Sequence, residues 1–167
     1  MRHRIASTIA LLTLSLGLAA AASAQDHRPC ATWRLAGDWG YTKTGTLYAP
    51  AGATPFATMG ILTLDEFGNL TGVNTGSVGG RVSQDVLKGT FAVNPDCTGT
   101  MTVEVYDPSM TLLRTIVMAL VVDDDLNQLR GLMMSLVLPN GVSLPTVITA
   151  EAKRLISTRG ANRGVGQ

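Results

Sequence analysis

Short strands separated by turns constrain this chain more than any other feature of its sequence. From Arg34 onward, apolar and polar residues alternate, as in Thr100–Tyr106, where Met101, Val103 and Val105 share one face. Gly, Pro, Asn and Asp residues divide these segments at regular intervals, and no segment shows the apolar spacing of a helix. The pattern predicts an all-β domain rather than alternating strands and helices.

The turn positions divide the chain into about eight strands. We predict them at Ala36–Thr42, Ala57–Leu64, Leu70–Val78, Val82–Asn94, Gly99–Asp107, Thr111–Val122, Gln128–Leu138 and Leu144–Ile156. The connections are short except for Lys43–Phe56, which is rich in Gly, Ala, Thr and Pro. An antiparallel up-and-down barrel fits this order because closure removes the exposed sheet edges. A two-sheet β-sandwich is the structural alternative.

The N-terminus has the features of an export signal. Arg2 and Arg4 precede an apolar run, Ile5–Ala22, and Ala22-Ser23-Ala24 supplies small residues for cleavage before Gln25. An uncleaved anchor helix is the alternative, because the run approaches the roughly 18 residues that span a bilayer. We therefore expect a signal peptide at 1–24, one barrel domain with an N-terminal arm at 25–156, and a disordered tail at 157–167. The expected location is periplasmic or secreted.

Charge and cysteine content narrow the choice of partners. Loss of Arg2 and Arg4 with the signal leaves 11 of 13 basic residues against 12 acidic ones. A nearly neutral chain lacks the basic patch that nucleic acid requires. Cys30 and Cys97 form an even pair, and in an oxidising compartment such a pair predicts one disulfide.

The sequence offers no recognisable catalytic or metal-binding unit. His27 is the one histidine of the expected mature chain and lies in the N-terminal arm, where nothing would hold an imidazole for catalysis. Zinc sites draw several ligands from His and Cys. Asp123, Asp125 and Asn127 open like a calcium loop, but its sixth and twelfth positions are not the Gly and Glu it needs. We predict no catalytic residue, no metal and no cofactor.

Carboxylates within strands provide the one enzymatic alternative. Glu104 and Glu151 lie in predicted strands, and an acid or base role would require at least one of them inside a barrel pocket. The alternative function is therefore a barrel enzyme acting on an apolar substrate, with one of these two carboxylates as its acid or base.

The start of the first strand resembles a known family. Gly37-Asp38-Trp39 is similar to the Gly-x-Trp signature of lipocalins and the wider calycin group. The resemblance implies an eight-stranded barrel whose Trp39 fills one end, packed against a basic residue of the last strand, here Arg154. An allene-oxide-cyclase-type barrel is of comparable size and strand number, and would be the enzymatic version of this fold.

Two neighbouring strands are apolar on both faces. In Thr111–Val122, one face carries Leu112, Ile116, Met118 and Leu120, and the other carries Leu113, Val117, Ala119 and Val121. In Gln128–Leu138, one face carries Leu129, Met133 and Val137, and the other carries Leu132, Met134, Leu136 and Leu138. A barrel interior covers one face only. We expect a second copy to cover the outer face of the Thr111–Leu138 hairpin, giving a homodimer.

The sequence thus favours an exported, non-enzymatic barrel that binds a small apolar ligand or a protein partner. An eight-stranded barrel is just wide enough to be filled by side chains or to hold one small ligand. The third alternative is an outer-membrane-associated structural protein. Outer-membrane barrels carry aromatic girdles, and this chain has three Phe, three Tyr and two Trp.

Overall fold

A computed structural model describes residues 29–123 and 125–156 of the chain. A single 3₁₀ turn, Thr32–Leu35, precedes eight strands. The strands are β1 (Gly37–Ala49), β2 (Gly52–Leu64), β3 (Asn69–Val78), β4 (Arg81–Val93), β5 (Thr98–Tyr106), β6 (Leu112–Asp123), β7 (Gln128–Val137) and β8 (Thr146–Arg154). The predicted signal peptide, His27 and the predicted disordered tail lie outside the described residues.

Every strand pairs antiparallel with its sequence neighbour, and β1 pairs with β8, so the sheet closes into one barrel. The predicted up-and-down barrel is therefore confirmed, and the sandwich alternative is wrong. Alternate residues of each strand point inward and form an apolar core, while Thr, Lys and Glu residues are common on the outer face. This arrangement is the reverse of the polar interior and apolar exterior of transmembrane barrels.

The first hairpin corrects the sequence-based boundaries. The predicted long connection Lys43–Phe56 consists of strand residues apart from the two-residue turn Pro50-Ala51, because β1 and β2 pair without a break from Gly37↔Leu64 to Ala49↔Gly52. Pro55 is tolerated because β3 pairs with β2 only as far as Phe56; on that side Pro55 accepts one hydrogen bond, from the Gly79 N–H, and no strand residue requires an N–H from it. The structure thus provides no loop here to cover the outside of the barrel.

One end of the barrel is closed by the N-terminal segment. Cys30 and Cys97 form the predicted disulfide, which ties this segment to the β4–β5 turn and is typical of proteins in oxidising compartments. Trp39 is fully buried at this end and donates from its indole N–H to the Leu35 carbonyl oxygen at 2.9 Å. The Arg154 guanidinium lies 4.7 Å from the centroid of the Trp39 ring.

Arg154 also organises the backbone around the closed end. Its guanidinium donates to the carbonyl oxygens of Ala36 at 2.7 Å and Arg34 at 2.9 Å, and more weakly to that of Leu126. These bonds satisfy carbonyl groups that no strand pairs. Trp33, in the 3₁₀ turn that precedes β1, is by contrast 64% exposed.

A β-bulge changes which residues of β7 point into the barrel. The β6–β7 register shifts between Val117 and Met118, so that Ile116 pairs with Leu136 whereas Met118 pairs with Met133. Leu136 is consequently buried in the core, although strict alternation placed it on the outer face. The outer face of the hairpin keeps Val121, Leu132 and Met134, each about half exposed, at 45%, 52% and 55%.

Candidate functional site

A cluster of polar side chains lies inside the barrel. Lys43, Thr58, Asn74 and Asp85 are each 5% exposed or less, although the rest of the core is apolar. Tyr41 is buried beside them, and Arg114 contributes a guanidinium from β6. Buried charged groups are costly unless they are paired or used. This cluster is therefore the candidate functional site, defined by Tyr41, Lys43, Thr58, Asn74, Asp85 and Arg114.

Strand register brings these residues together. Across β1 to β4, Tyr41 pairs with Gly60, Gly60 with Asn74, and Asn74 with Asp85, so the four residues form one inward-facing row. Glycine is required at position 60, because a Cβ there would lie 2.1 Å from the Val73 carbonyl oxygen and 2.8 Å from the Asn74 Cβ. The next row towards the β1–β2 turn contains Lys43 beside Thr58.

The charges of the cluster do not balance. Arg114 forms a salt bridge of 2.7 Å with Asp85, whose side chain is 1% exposed. The Lys43 ammonium lies 5.4 Å from the centroid of the Tyr41 ring, and no described carboxylate forms a salt bridge with it. The pKa of Lys43 is lowered to about 8, chiefly by burial and next by the charge of Arg114, while Asp85 acts in the opposite direction. Lys43 is thus mostly protonated at pH 7 and is the excess positive charge.

Several buried polar atoms of the cluster lack partners. The Tyr41 hydroxyl lies near Asn74 and Thr58, but the Tyr41 hydroxyl, the Thr58 hydroxyl and both amide atoms of Asn74 make no hydrogen bond. The Arg114 Nε is also unpaired. Burial raises the pKa of Tyr41 to about 12, so its phenol remains a donor at neutral pH. Unpaired buried groups are rare in folded proteins, and they supply hydrogen-bonding capacity for a polar ligand group or for water.

An apolar cavity adjoins Tyr41 and Lys43. It holds about 40 Å³, enough for a few water molecules or a small aliphatic group. Ala150 and Ala152 on β8 pair with Lys43 and Tyr41, and their short side chains leave space beside these two residues. The apolar lining includes Leu62, Leu87, Met101, Val103, Met118 and Leu120. The lining also includes two basic residues, Lys43 and Arg130; Arg130 forms a salt bridge with Asp123, whereas Lys43 has no carboxylate partner among the described residues.

A second depression lies on the outer face of β2, β3 and β4. It holds about 450 Å³ and is lined by Met59, Ile61 and Val73, which are 63%, 48% and 57% exposed. Although it is larger than the interior cavity, it contains no inward-facing cation and opens broadly to solvent. We therefore place the candidate site inside the barrel.

The carboxylates proposed for catalysis face outward. Glu104 alternates with buried Val103 and Val105 and accepts a hydrogen bond from the Tyr106 hydroxyl at 2.7 Å. Glu151 is exposed on the outer face of β8. Neither can act inside the barrel, so the structure removes the two residues on which the enzymatic alternative was based.

Asp123, the first residue of the calcium-loop-like pattern, forms a salt bridge with Arg130 at the surface, with 2.6 Å between Oδ2 and Nη2. Within residues 29–123 and 125–156, no group of three His, Cys, Asp or Glu side chains has metal-binding geometry. In the same part of the chain, no helix is long and apolar enough to cross a membrane.

Sequence reasoning missed the whole polar cluster. The pattern of residues 43–56 predicts a connection, which hides the inward position of Lys43, and the strand patterns alone do not single out the other members. A signal was present, since Lys43 shares its parity with Trp39 and Tyr41, and Asp85 shares its parity with Leu87. A charged residue at the inward parity of a barrel strand indicates a site rather than a solvated face.

Comparison of the chain with models of known protein families and with characterised proteins found no match. The functional argument consequently depends on the geometry of the barrel interior.

Proposed function

We propose that this protein is an exported, non-enzymatic barrel that binds one small ligand in its interior cavity. The observation that carries the proposal is the apolar cavity bordered by Tyr41 and Lys43 in a closed barrel. Ligand sites are usually concave, mostly apolar and supplied with a few convergent polar groups. The disulfide between Cys30 and Cys97 supports export.

The closed end supports a calycin-like identity. Trp39 at the bottom of the barrel, covered by Arg154 from the last strand, is what the lipocalin resemblance implied. The other end carries the longer β1–β2 hairpin and the β7–β8 connection, which runs from 138 to 145. A ligand would enter at the end that carries these two connections, since the N-terminal segment covers the end around Trp39.

The size of the cavity limits the ligand. At about 40 Å³ it is far smaller than the 300–1,000 Å³ of sites for drug-sized molecules. Met101 and Met118 on the cavity wall have unbranched, flexible side chains that make room at low cost. We therefore propose a small molecule with a short aliphatic part rather than a long-chain lipid.

Filling the cavity should abolish binding. Ala152 is buried on the cavity wall, so Ala152→Leu places extra methyl groups where the ligand would lie. We expect the variant to remain folded and to lose at least tenfold in affinity for 1-hexanol, measured by calorimetry or by displacement of a hydrophobic fluorophore. Ala92→Leu is the matched control, because Ala92 is exposed on the outer face of β4. No saturable binding by the wild-type protein, or equal losses in both variants, would refute the proposal.

Self-association through the Thr111–Leu138 hairpin is a second proposal, and it does not depend on ligand binding. It is supported by Val121, Leu132 and Met134, which lie half exposed on two paired strands. Leu132→Lys should convert a dimer into monomers in sedimentation experiments. Val73→Lys is the control, because Val73 is similarly exposed but lies four strands away around the barrel. Wild-type protein that sediments as a monomer at high micromolar concentration would contradict the proposal.

A further inference from the structure

We propose that the interior site recognises the carboxylate of a short-chain aliphatic acid, with Lys43 as its cationic partner. This inference rests on the proposed function and deepens it by naming the ligand class. It follows from the position of an unpaired, buried ammonium at the border of an apolar cavity.

Charge is the first argument for an acid. Asp85 is already neutralised by Arg114, so the cluster contains two cations and one anion. A monovalent anion next to Lys43 would bring the cluster to neutrality and remove the cost of an isolated buried charge. A neutral ligand would leave that cost in place, and a cationic ligand would increase it.

Hydrogen bonding is the second argument. Lys43 and Tyr41 both line the cavity, and each carries a hydrogen-bond donor, an ammonium and a phenolic hydroxyl. The Tyr41 hydroxyl makes no hydrogen bond with the described residues. A carboxylate has about four acceptor positions and makes its strongest hydrogen bonds with charged donors. The available donors therefore match this group better than an alcohol, which accepts fewer bonds.

The apolar wall is the third argument. Leu62, Leu87 and Val103 offer only hydrocarbon, and Met101 and Met118 add flexible thioethers. A chain of a few methylene groups would gain about 0.8 kcal/mol for each group buried there. Inorganic anions lack such a chain, so the site favours an organic acid over phosphate or sulfate.

The test compares hexanoate with 1-hexanol and hexylammonium by calorimetry at pH 7. We expect hexanoate to bind at least tenfold more tightly than 1-hexanol and hexylammonium not to bind. Without an interior cation the order would reverse, because a carboxylate is more strongly hydrated than an alcohol. In Lys43→Met, the preference for hexanoate over 1-hexanol should fall at least tenfold. Lys153→Met is the control, since Lys153 is exposed on the outer face of β8.

A pH series on the wild-type protein makes the test independent of any variant. Between pH 7 and pH 9.5 free Lys43 loses its proton, so the affinity for hexanoate should fall about tenfold and that for 1-hexanol should not change. If 1-hexanol binds as tightly as hexanoate at pH 7, the carboxylate inference is wrong and interior binding stands. If neither molecule binds, both proposals are wrong.

Discussion

Replacing Trp39 by alanine should lower the free energy of unfolding by about 4 kcal/mol, the largest effect we expect for a single residue. Trp39 is fully buried, donates to the Leu35 carbonyl oxygen and is covered by the Arg154 guanidinium. Its loss creates a large cavity at the closed end and removes the surface on which Arg154 is positioned. Urea unfolding at pH 7 measures the change.

Trp33→Ala is the matched control for this prediction. Trp33 is the other tryptophan of the chain and lies in the adjacent 3₁₀ turn, but it is 64% exposed. Its replacement should change the free energy of unfolding by no more than about 0.5 kcal/mol. Similar costs for the two substitutions would show that the closed end is not organised around Trp39.

Replacing Lys43 by methionine should stabilise the protein at pH 7, by about 2–3 kcal/mol. The lowered pKa of about 8 means that the folded protein holds the protonated form at a cost. Methionine has a similar length and no charge, and Asp85 keeps its partner Arg114. Such a gain would be typical of a functional site, where stability is given up for binding.

The pH dependence of stability gives a second readout of Lys43. Below pH 8 this residue is protonated in both the folded and the unfolded state. Between pH 8 and 10.5, the ordinary pKa of lysine, only the unfolded chain retains the proton, so the free energy of unfolding rises with pH. We expect a rise of about 2 kcal/mol by pH 9.5 in the wild-type protein. Above pH 10, Tyr41 acts in the opposite sense, because its pKa is raised to about 12.

In the Lys43→Met variant the free energy of unfolding should not rise with pH in this way, whereas in the outer-face variant Lys153→Met it should. Chemical unfolding at pH 7, 8, 9 and 9.5 measures both profiles. A flat wild-type profile, or a Lys43→Met variant less stable than the wild type at pH 7, would contradict the description of Lys43 as an uncompensated buried cation.

The barrel could be predicted because its determinants are local. Alternation within each strand and turn residues between strands specify a meander, and closure follows from the need to remove edges. The first hairpin escaped prediction because Pro55 and several small residues indicate a loop. Pro55 is compatible with a strand only because β3 ends at Val78, opposite Phe56, and that boundary is a long-range property.

The interior site depends on register, which single-strand patterns do not contain. Asp85 and Arg114 are 29 residues apart and lie on β4 and β6, which flank β5, so they meet only because the register of both strands against β5 brings them together. Likewise the bulge in β7, which turns Leu136 inward, is defined by its pairing with β6. By contrast, the pairing of Cys30 with Cys97 was predictable because the chain has only two cysteines.

The central claim is that a small ligand occupies the interior of the barrel, and methionine-methyl NMR during titration with hexanoate tests it most directly. Met101 and Met118 line the cavity, whereas Met59 and Met134 are 63% and 55% exposed on the outer face. The account predicts saturable shifts of the Met101 and Met118 methyl signals, with those of Met59 and Met134 unchanged. Shifts confined to Met59 or Met134, or no saturable shift at all, would contradict it.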